Sequence, residues 1–118
     1  MKYVDGFVIP IKRKNINDYK KMATMGCKLW MEHGALEYFE CVGDDFVTHG
    51  LGFKKMCNLK SDETVIFAFI VFKTKAHRNQ VNAKVMNDSR MKNYAIKKIP
   101  FNMKNFSMVG CKTIVSGK

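Results

Sequence analysis

Acidic side chains are concentrated in one short stretch of this 118-residue chain, and their types and spacing make them the first candidates for chemistry. Half of the ten Asp and Glu residues fall within fourteen positions, although the chain as a whole carries 21 Lys and Arg and a net charge of +11. A carboxylate acts as a general acid or base when its surroundings bring its pKa toward neutrality. The clustered acids are Glu32, Glu37, Glu40, Asp44 and Asp45.

Glu40 is the principal candidate for a catalytic residue. The pattern predicts a strand over residues 35–42, and alternation along that strand puts Glu40 on one face with Leu36, Tyr38 and Val42. A carboxylate on an apolar face must be paired, or burial raises its pKa by disfavouring the charged form. Glu40 is therefore either a general acid or base, or a structural acid satisfied by a Lys, an Arg or backbone donors.

Asp5 and His49 complete the predicted catalytic set. Asp5 belongs to an apolar segment and shares a strand face with Tyr3 and Phe7, so the same two alternatives apply to it. His49 precedes Gly50 in a segment that reads as a loop, where an imidazole could shuttle a proton. Catalysis would use Glu40 together with one of these two residues.

Asp44, Asp45 and Arg90 are the candidate ligand-binding residues. The two Asp follow Gly43, a combination that favours a turn over a metal site. Arg90 could clamp an anionic ligand or pair with an acid of the chain. No P-loop, dinucleotide fingerprint, nucleophile elbow or H-E-x-x-H motif is present. We predict no metal site and no cofactor.

The cysteines and the lengths of the apolar segments indicate the cellular compartment of the protein. Cys27, Cys41, Cys57 and Cys111 include no C-x-x-C pair, so we expect buried free thiols in a reducing compartment. The N-terminal residues lack the apolar core of a secretory signal. A membrane-spanning helix needs about 20 apolar residues, and no run here approaches that length. The sequence predicts a cytoplasmic protein without a membrane partner.

The segment Thr64–Phe72 is the strongest structural signal. It is uncharged and rich in β-branched and aromatic residues, which indicates a strand. Both of its alternating faces are apolar, so both must be covered. A single layer of helices covers only one face, and we therefore expect a second copy of the chain to pack on the other.

Six elements are predicted, in the order strand, helix, strand, strand, helix, strand. This is the ferredoxin-like βαββαβ arrangement, an α+β fold with an antiparallel sheet and both helices on one face. We expect one such domain over residues 1–118. The predicted elements are a strand 3–9 ended by Pro10, a helix from the cap Asn15 to Gly34, strands 35–42 and 64–72, a helix 75–87 capped by Thr74, a short turn capped by Asp88, and a strand 106–115. A loop with at most one bent edge strand is predicted for residues 46–59.

The positive charge raises the possibility of nucleic-acid binding. Eighteen of the basic residues are Lys and only three are Arg, and they are scattered along the chain. Specific base readout favours Arg, so a solvated surface is the preferred interpretation and no specific nucleic acid is predicted. The alternative is weak, non-specific binding, micromolar or weaker, that collapses as salt is added.

Several blocks of the chain resemble the YbaA-like bacterial family. They are the opening segment 1–8, Glu-Cys-Val-Gly-Asp-Asp at 40–45, Asp-Glu-Thr-Val-Ile-Phe at 62–67, Asp-Ser-Arg-Met at 88–91 and Pro-Phe at 100–101. The chain departs from the family at Val42, Ser89 and Asn102, which replace a Trp, a Pro and an acid. The resemblance implies a dimeric α/β barrel of the ferredoxin-like superfamily. That superfamily includes monooxygenases, isomerases, haem-handling proteins and ligand sensors, so the fold does not select an activity.

Taken together, the residues predict a homodimer that binds a small organic molecule, either between the sheet and the helices or at the dimer interface. One hypothesis is a cofactor-independent enzyme, similar to a monooxygenase or an isomerase. The other is a non-catalytic module that binds a ligand or another protein.

Overall fold

A four-stranded antiparallel sheet forms the centre of the molecule. The computed structural model describes residues 1–47, 49–95 and 99–117. In chain order its elements are β1 (Tyr3–Lys12), a 3₁₀ turn (Arg13–Asn15), α1 (Ile16–Glu32), β2 (Glu37–Val42), α2 (Phe53–Met56), β3 (Glu63–Phe72), α3 (Lys75–Met86), α4 (Ser89–Ala95), a second 3₁₀ turn (Met103–Asn105) and β4 (Ser107–Lys112).

The strand order is β2-β3-β1-β4, with every neighbouring pair antiparallel. β1 and β3 pair over their full length, from Tyr3 opposite Phe72 to Lys12 opposite Glu63. This order and the βαββαβ sequence of elements confirm the predicted ferredoxin-like α+β fold.

The core lies between one face of the sheet and the helices α1 and α3. Alternate residues of β1 and β3 point to this face, so each strand contributes every second side chain. Burying these side chains against the helices removes apolar surface from water, which is the main source of stability. The buried core residues are Ile9, Ile11, Ile66, Ala68, Ile70 and Phe72 from the sheet, Tyr19, Ala23 and Leu29 from α1, Val81 and Val85 from α3, and Ala35.

Pro10 does not end the first strand, contrary to the prediction. β1 continues to Lys12, and Pro10 lies opposite Val65 of β3. On its other side β1 pairs with β4 only from Tyr3 to Val8. At Pro10 the strand therefore has a single neighbour, and a residue without an amide hydrogen is tolerated there.

The helix ends agree with the prediction at two of three positions. Gly34 has a φ of +117°, which favours glycine, and it follows the end of α1 as predicted. The Thr74 hydroxyl accepts the predicted capping bond from the His77 amide at 3.0 Å. Asn15 makes no side-chain capping bond, because a 3₁₀ turn from Arg13 already leads the chain into α1.

The connection between β2 and β3 contains the short helix α2 and no edge strand within its described residues. The predicted strand bounds were also too long at two places. β2 begins at Glu37 and β4 ends at Lys112, whereas strands over 35–42 and 106–115 were predicted. Asp88 caps the segment after α3, as predicted, because its carboxylate accepts from the Arg90 amide at 2.9 Å. The structure forms the helix α4 here, where only a short turn was predicted.

The opposite face of the sheet is apolar and is not covered by α1 or α3. Three apolar side chains on this face, from β2, β3 and β4, are well exposed: Phe39 at 47%, Phe67 at 45% and Val109 at 58%. We call this surface the open face. All four cysteines are unpaired, as predicted, but Cys41 and Cys111 are exposed on the open face, so the expectation of buried thiols was wrong.

Candidate ligand-binding site

A cavity of about 340 Å³ lies between the helix-facing side of the sheet, α1, α4 and residues 99–106. This is within the size range of sites that hold small organic molecules. Its lining is mostly aromatic and thioether side chains: Phe7, Tyr19, Trp30, Tyr38, Phe101 and Phe106, with Met22, Met25, Met91 and Met103. Ile99 and Met103 line the cavity and are also 39% and 54% exposed, so they form its rim.

Glu40 is the one charged residue among the described residues that line this cavity. The Tyr19 hydroxyl donates to Oε1 of Glu40 at 2.7 Å, and the Tyr38 hydroxyl donates to Oε2 at 2.6 Å. Within the described part of the chain, Glu40 forms no ion pair with Lys, Arg or His. In the described structure, two phenol hydroxyls therefore hold this half-buried carboxylate.

The local structure explains how these three side chains meet. Tyr38 and Glu40 are two residues apart on β2, so alternation sends both toward the helices. Tyr19 is buried on the sheet-facing side of α1. Gly26, also on α1, lies next to Tyr38, and a Cβ there would stand 3.0 Å from the Tyr38 hydroxyl oxygen. Glycine inside a helix costs about 0.5–1 kcal/mol relative to alanine, and here it makes room for the tyrosine.

The two tyrosines remain hydrogen-bond donors over the physiological pH range. Burial raises the pKa of Tyr19 and of Tyr38, and the adjacent Glu40 carboxylate raises both further, because a phenolate would be repelled. A carboxylate has about four acceptor positions, and the two hydroxyls use two of them. The arrangement can thus accept a hydrogen bond or a proton from a molecule in the cavity.

Replacing Glu40 with Gln should change the free energy of unfolding at pH 7 by no more than about 1 kcal/mol. The substitution weakens two hydrogen bonds to a charged group but leaves no cation unpaired among the residues that the structure describes. Breaking a buried ion pair would instead cost on the order of 3 kcal/mol. Urea unfolding of the two proteins measures the difference, and a loss near 3 kcal/mol would show that Glu40 has a cationic partner.

A family described as a protein of unknown function, DUF1428, matches residues 2–103. The chain belongs to this family. It is 34% identical over 117 residues to the uncharacterized protein YbaA of Escherichia coli K12, with 98% of each chain covered, and it matches the YbaA of Shigella flexneri equally well. The predicted resemblance of the chain to the YbaA-like family is thereby confirmed.

One solved structure supports the fold of the family member described here. A dimeric ferredoxin-like protein from an uncultured marine organism aligns over 98% of both chains with a TM-score of 0.51 and 10% identity. Identity this low supports the fold alone. Across the residues that the structure describes, no helix combines the length and the apolar character needed to cross a bilayer.

Asp5 lies in a separate polar network and does not line the Glu40 cavity. Its side chain is 1% exposed and pairs with Arg78, with Nη1 at 3.0 Å from Oδ1. Asn82 also hydrogen-bonds Asp5 and accepts from the Trp30 indole at 2.9 Å. Burial raises the pKa of Asp5, although the Arg78 guanidinium opposes this effect.

His49 and Asp45 lie on the other side of the sheet, in a depression that the β2–β3 connection forms with Val65 and Phe67. Asp44 lines a different depression, which it shares with Arg13, Lys54 and Glu63. The structure therefore does not bring Glu40, Asp5 and His49 together in one cavity. Catalytic roles for Asp5 and His49 stay predictions.

Arg90 is engaged by acids of the chain itself. Its Nε and Nη2 donate to Asp88 at 3.1 and 2.9 Å, and Nη2 also donates to Glu32 at 2.6 Å. The hydrogen bonds from Arg90 to Asp88 hold the pKa of Asp88 well below its usual range, with a further contribution from His33. Of the two alternatives predicted for Arg90, the structure shows the one in which it pairs with acids of the chain. Ligand binding by Arg90, Asp44 or Asp45 stays a prediction.

Sequence reasoning missed Tyr19 and Tyr38 as members of the site. Tyr38 could have been predicted, because strand alternation already placed this residue on the face of Glu40. Tyr19 was assigned to the core by the helical period, which describes its ring correctly but says nothing about its hydroxyl. Gly26 gave a weak signal, since glycine inside a helix often marks a close approach.

Proposed function

We propose that the chain is a homodimer that binds a small, mainly apolar organic molecule in the Glu40 cavity. The observation that carries this proposal is the convergence of Glu40, Tyr19 and Tyr38 on a cavity whose other walls are apolar. Ligand sites in proteins are typically apolar concavities with a few placed polar groups that fix the orientation of the ligand. Here the apolar walls would supply affinity and Glu40 would accept from the ligand.

An uncharged fluorophore, N-phenyl-1-naphthylamine, tests this proposal. We expect saturable fluorescence enhancement with one site per chain. Replacing Ala23, a cavity-lining alanine of α1, with Phe should abolish it by filling the cavity. Ala83→Phe makes the same change at an exposed position of α3 and should leave binding intact. Unchanged binding in Ala23→Phe, with the protein still folded by circular dichroism, would contradict the proposal; Ala23→Leu serves if the larger side chain prevents folding.

An enzymatic role is the second candidate, and the lack of a cationic partner for Glu40 within the described residues favours it. In this version a proton moves from the bound molecule to a Glu40 oxygen, without a cofactor. The Tyr19 and Tyr38 hydroxyls stabilise the carboxylate when it is ionised and keep it oriented when it is protonated. This is the proton transfer that a cofactor-independent oxygenase or isomerase needs.

The open face supports the homodimer. An exposed surface that joins Phe39, Phe67 and Val109 is characteristic of an interface rather than of solvated sheet. The solved neighbour is described as dimeric, which supports self-association of this chain as well. The unpaired cysteines support the cytoplasm as the location.

A groove with several lysines supports weak nucleic-acid contact. Lys12, Lys14, Lys21 and Lys60 line it, but Asp18 and Glu63 line it as well. Mixed charges of this kind support salt-sensitive, non-specific contact with phosphates and no base readout.

A further inference from the structure

The charge of the cavity is opposite to the charge of the protein. The chain has a net charge of +11, yet its described cavity-lining residues include no Lys, Arg or His, and Glu40 is the only one with a formal charge. Carboxylates removed from water are normally paired with a cation, because the charge loses favourable hydration. The protein itself supplies no such cation to Glu40 within its described part.

The cavity also has the aromatic lining that organic cations prefer. Tyr19 packs on Phe101 with ring centroids 5.9 Å apart, Phe101 stacks on Phe106 at 6.1 Å, and Phe106 packs on Phe7 at 5.9 Å. These rings form a continuous wall next to Glu40. The electron-rich faces of aromatic rings attract ammonium groups, most strongly where water is excluded.

We propose that the ligand is a small organic cation, a primary or methylated ammonium group on an apolar body, with its nitrogen at Glu40. This inference rests on the proposed function and specifies its ligand class. The ammonium N–H groups, or the polarised methyl groups of a methylated nitrogen, meet the acceptor positions of Glu40 that Tyr19 and Tyr38 leave open. The apolar body packs against the aromatic and methionine walls.

Three probes of nearly equal shape test the charge preference by displacing N-phenyl-1-naphthylamine: phenethylamine, which is a cation at pH 7, the neutral 2-phenylethanol, and the anion phenylacetate. We expect phenethylamine to bind at least tenfold more tightly than either of the others, because a charge-assisted hydrogen bond and ring contacts both favour it. In Glu40→Gln this advantage should fall to less than threefold.

Asp62→Asn is the control. It removes one carboxylate charge at an exposed position just before β3, outside the cavity, and it should keep the tenfold preference. Equal binding of all three probes to the wild type, or an advantage that survives Glu40→Gln, overturns the cation inference and leaves the proposed function standing. If the fluorophore itself does not bind in the cavity, the proposed function falls and this inference with it. The wild-type preference alone decides the outcome if Glu40→Gln does not fold.

Discussion

Replacing Arg78 with Met is expected to lower the free energy of unfolding by about 3 kcal/mol at pH 7. The guanidinium is the cationic partner of Asp5, whose side chain is 1% exposed, and it also lies over the Tyr3 ring at 5.0 Å. Without it the fold must either bury an unpaired carboxylate or protonate it. Urea unfolding measures the loss, and a change below about 1 kcal/mol would mean that the pair contributes little.

The cost of Arg78→Met should depend on pH in a defined direction. Burial already raises the pKa of Asp5 in the wild type, and removing Arg78 removes an influence that lowers this pKa. A carboxyl whose folded pKa lies above its unfolded value loses stability as pH rises between the two values. The variant should therefore regain stability relative to the wild type as the pH is lowered through the raised pKa of Asp5. A loss that does not shrink on acidification would exclude Asp5 as its source.

A double replacement separates the ion pair from simple packing. Asp5→Leu with Arg78→Met puts apolar side chains at both positions, and such swaps of buried pairs are often neutral or stabilising. We expect the double variant to be more stable than either single variant. Additive losses would instead show that the two residues act independently.

Replacing Phe67 with Lys is expected to dissociate the proposed homodimer. Phe67 lies on the open face beside Phe69, which stacks on Phe39 at 4.9 Å. A central aromatic residue of an interface contributes about 2 kcal/mol to the free energy of association. In a two-fold dimer both protomers carry the substitution, so the loss is doubled. The dissociation constant should then rise by about 1000-fold. Light scattering should give twice 13.6 kDa for the wild type and one chain mass for the variant at micromolar concentration.

Met31→Lys is the control for this experiment. Met31 is 43% exposed, close to the 45% of Phe67, but it belongs to α1 on the other side of the sheet. The control should remain dimeric, with a thermal stability that rises with protein concentration. A monomeric wild type, or equal dissociation by both substitutions, would contradict pairing through the open face.

The architecture could be predicted from the sequence because strands and helices show themselves as short repeats of apolar residues. Alternation along 64–72 showed two apolar faces, and the order of strands and helices then allowed few folds. Alternation also placed Glu40 beside Tyr38 correctly. Local propensity was misleading at Pro10 and Asn15, where the strand pairing and the preceding turn decided the outcome.

The polar partners were not predictable in the same way. Asp5 and Arg78 are 73 residues apart, and their pairing follows from how α3 packs on the sheet rather than from any sequence period. Tyr19 meets Glu40 for the same reason, since α1 and β2 must first be docked. Sequence reasoning can propose that a buried acid needs a partner, but only the tertiary structure identifies it.

The position of β3 limits the insertions and deletions that the chain can accept. Ala68 and Ile70 line the Glu40 cavity, while Phe67 and Phe69, the residues between and beside them, lie on the open face. One layer of backbone thus serves both surfaces. Inserting or deleting a single residue within the strand would rotate every following side chain to the other side. Substitutions can therefore accumulate on either surface separately, whereas an odd insertion or deletion in this strand would exchange the cavity wall and the open face at once.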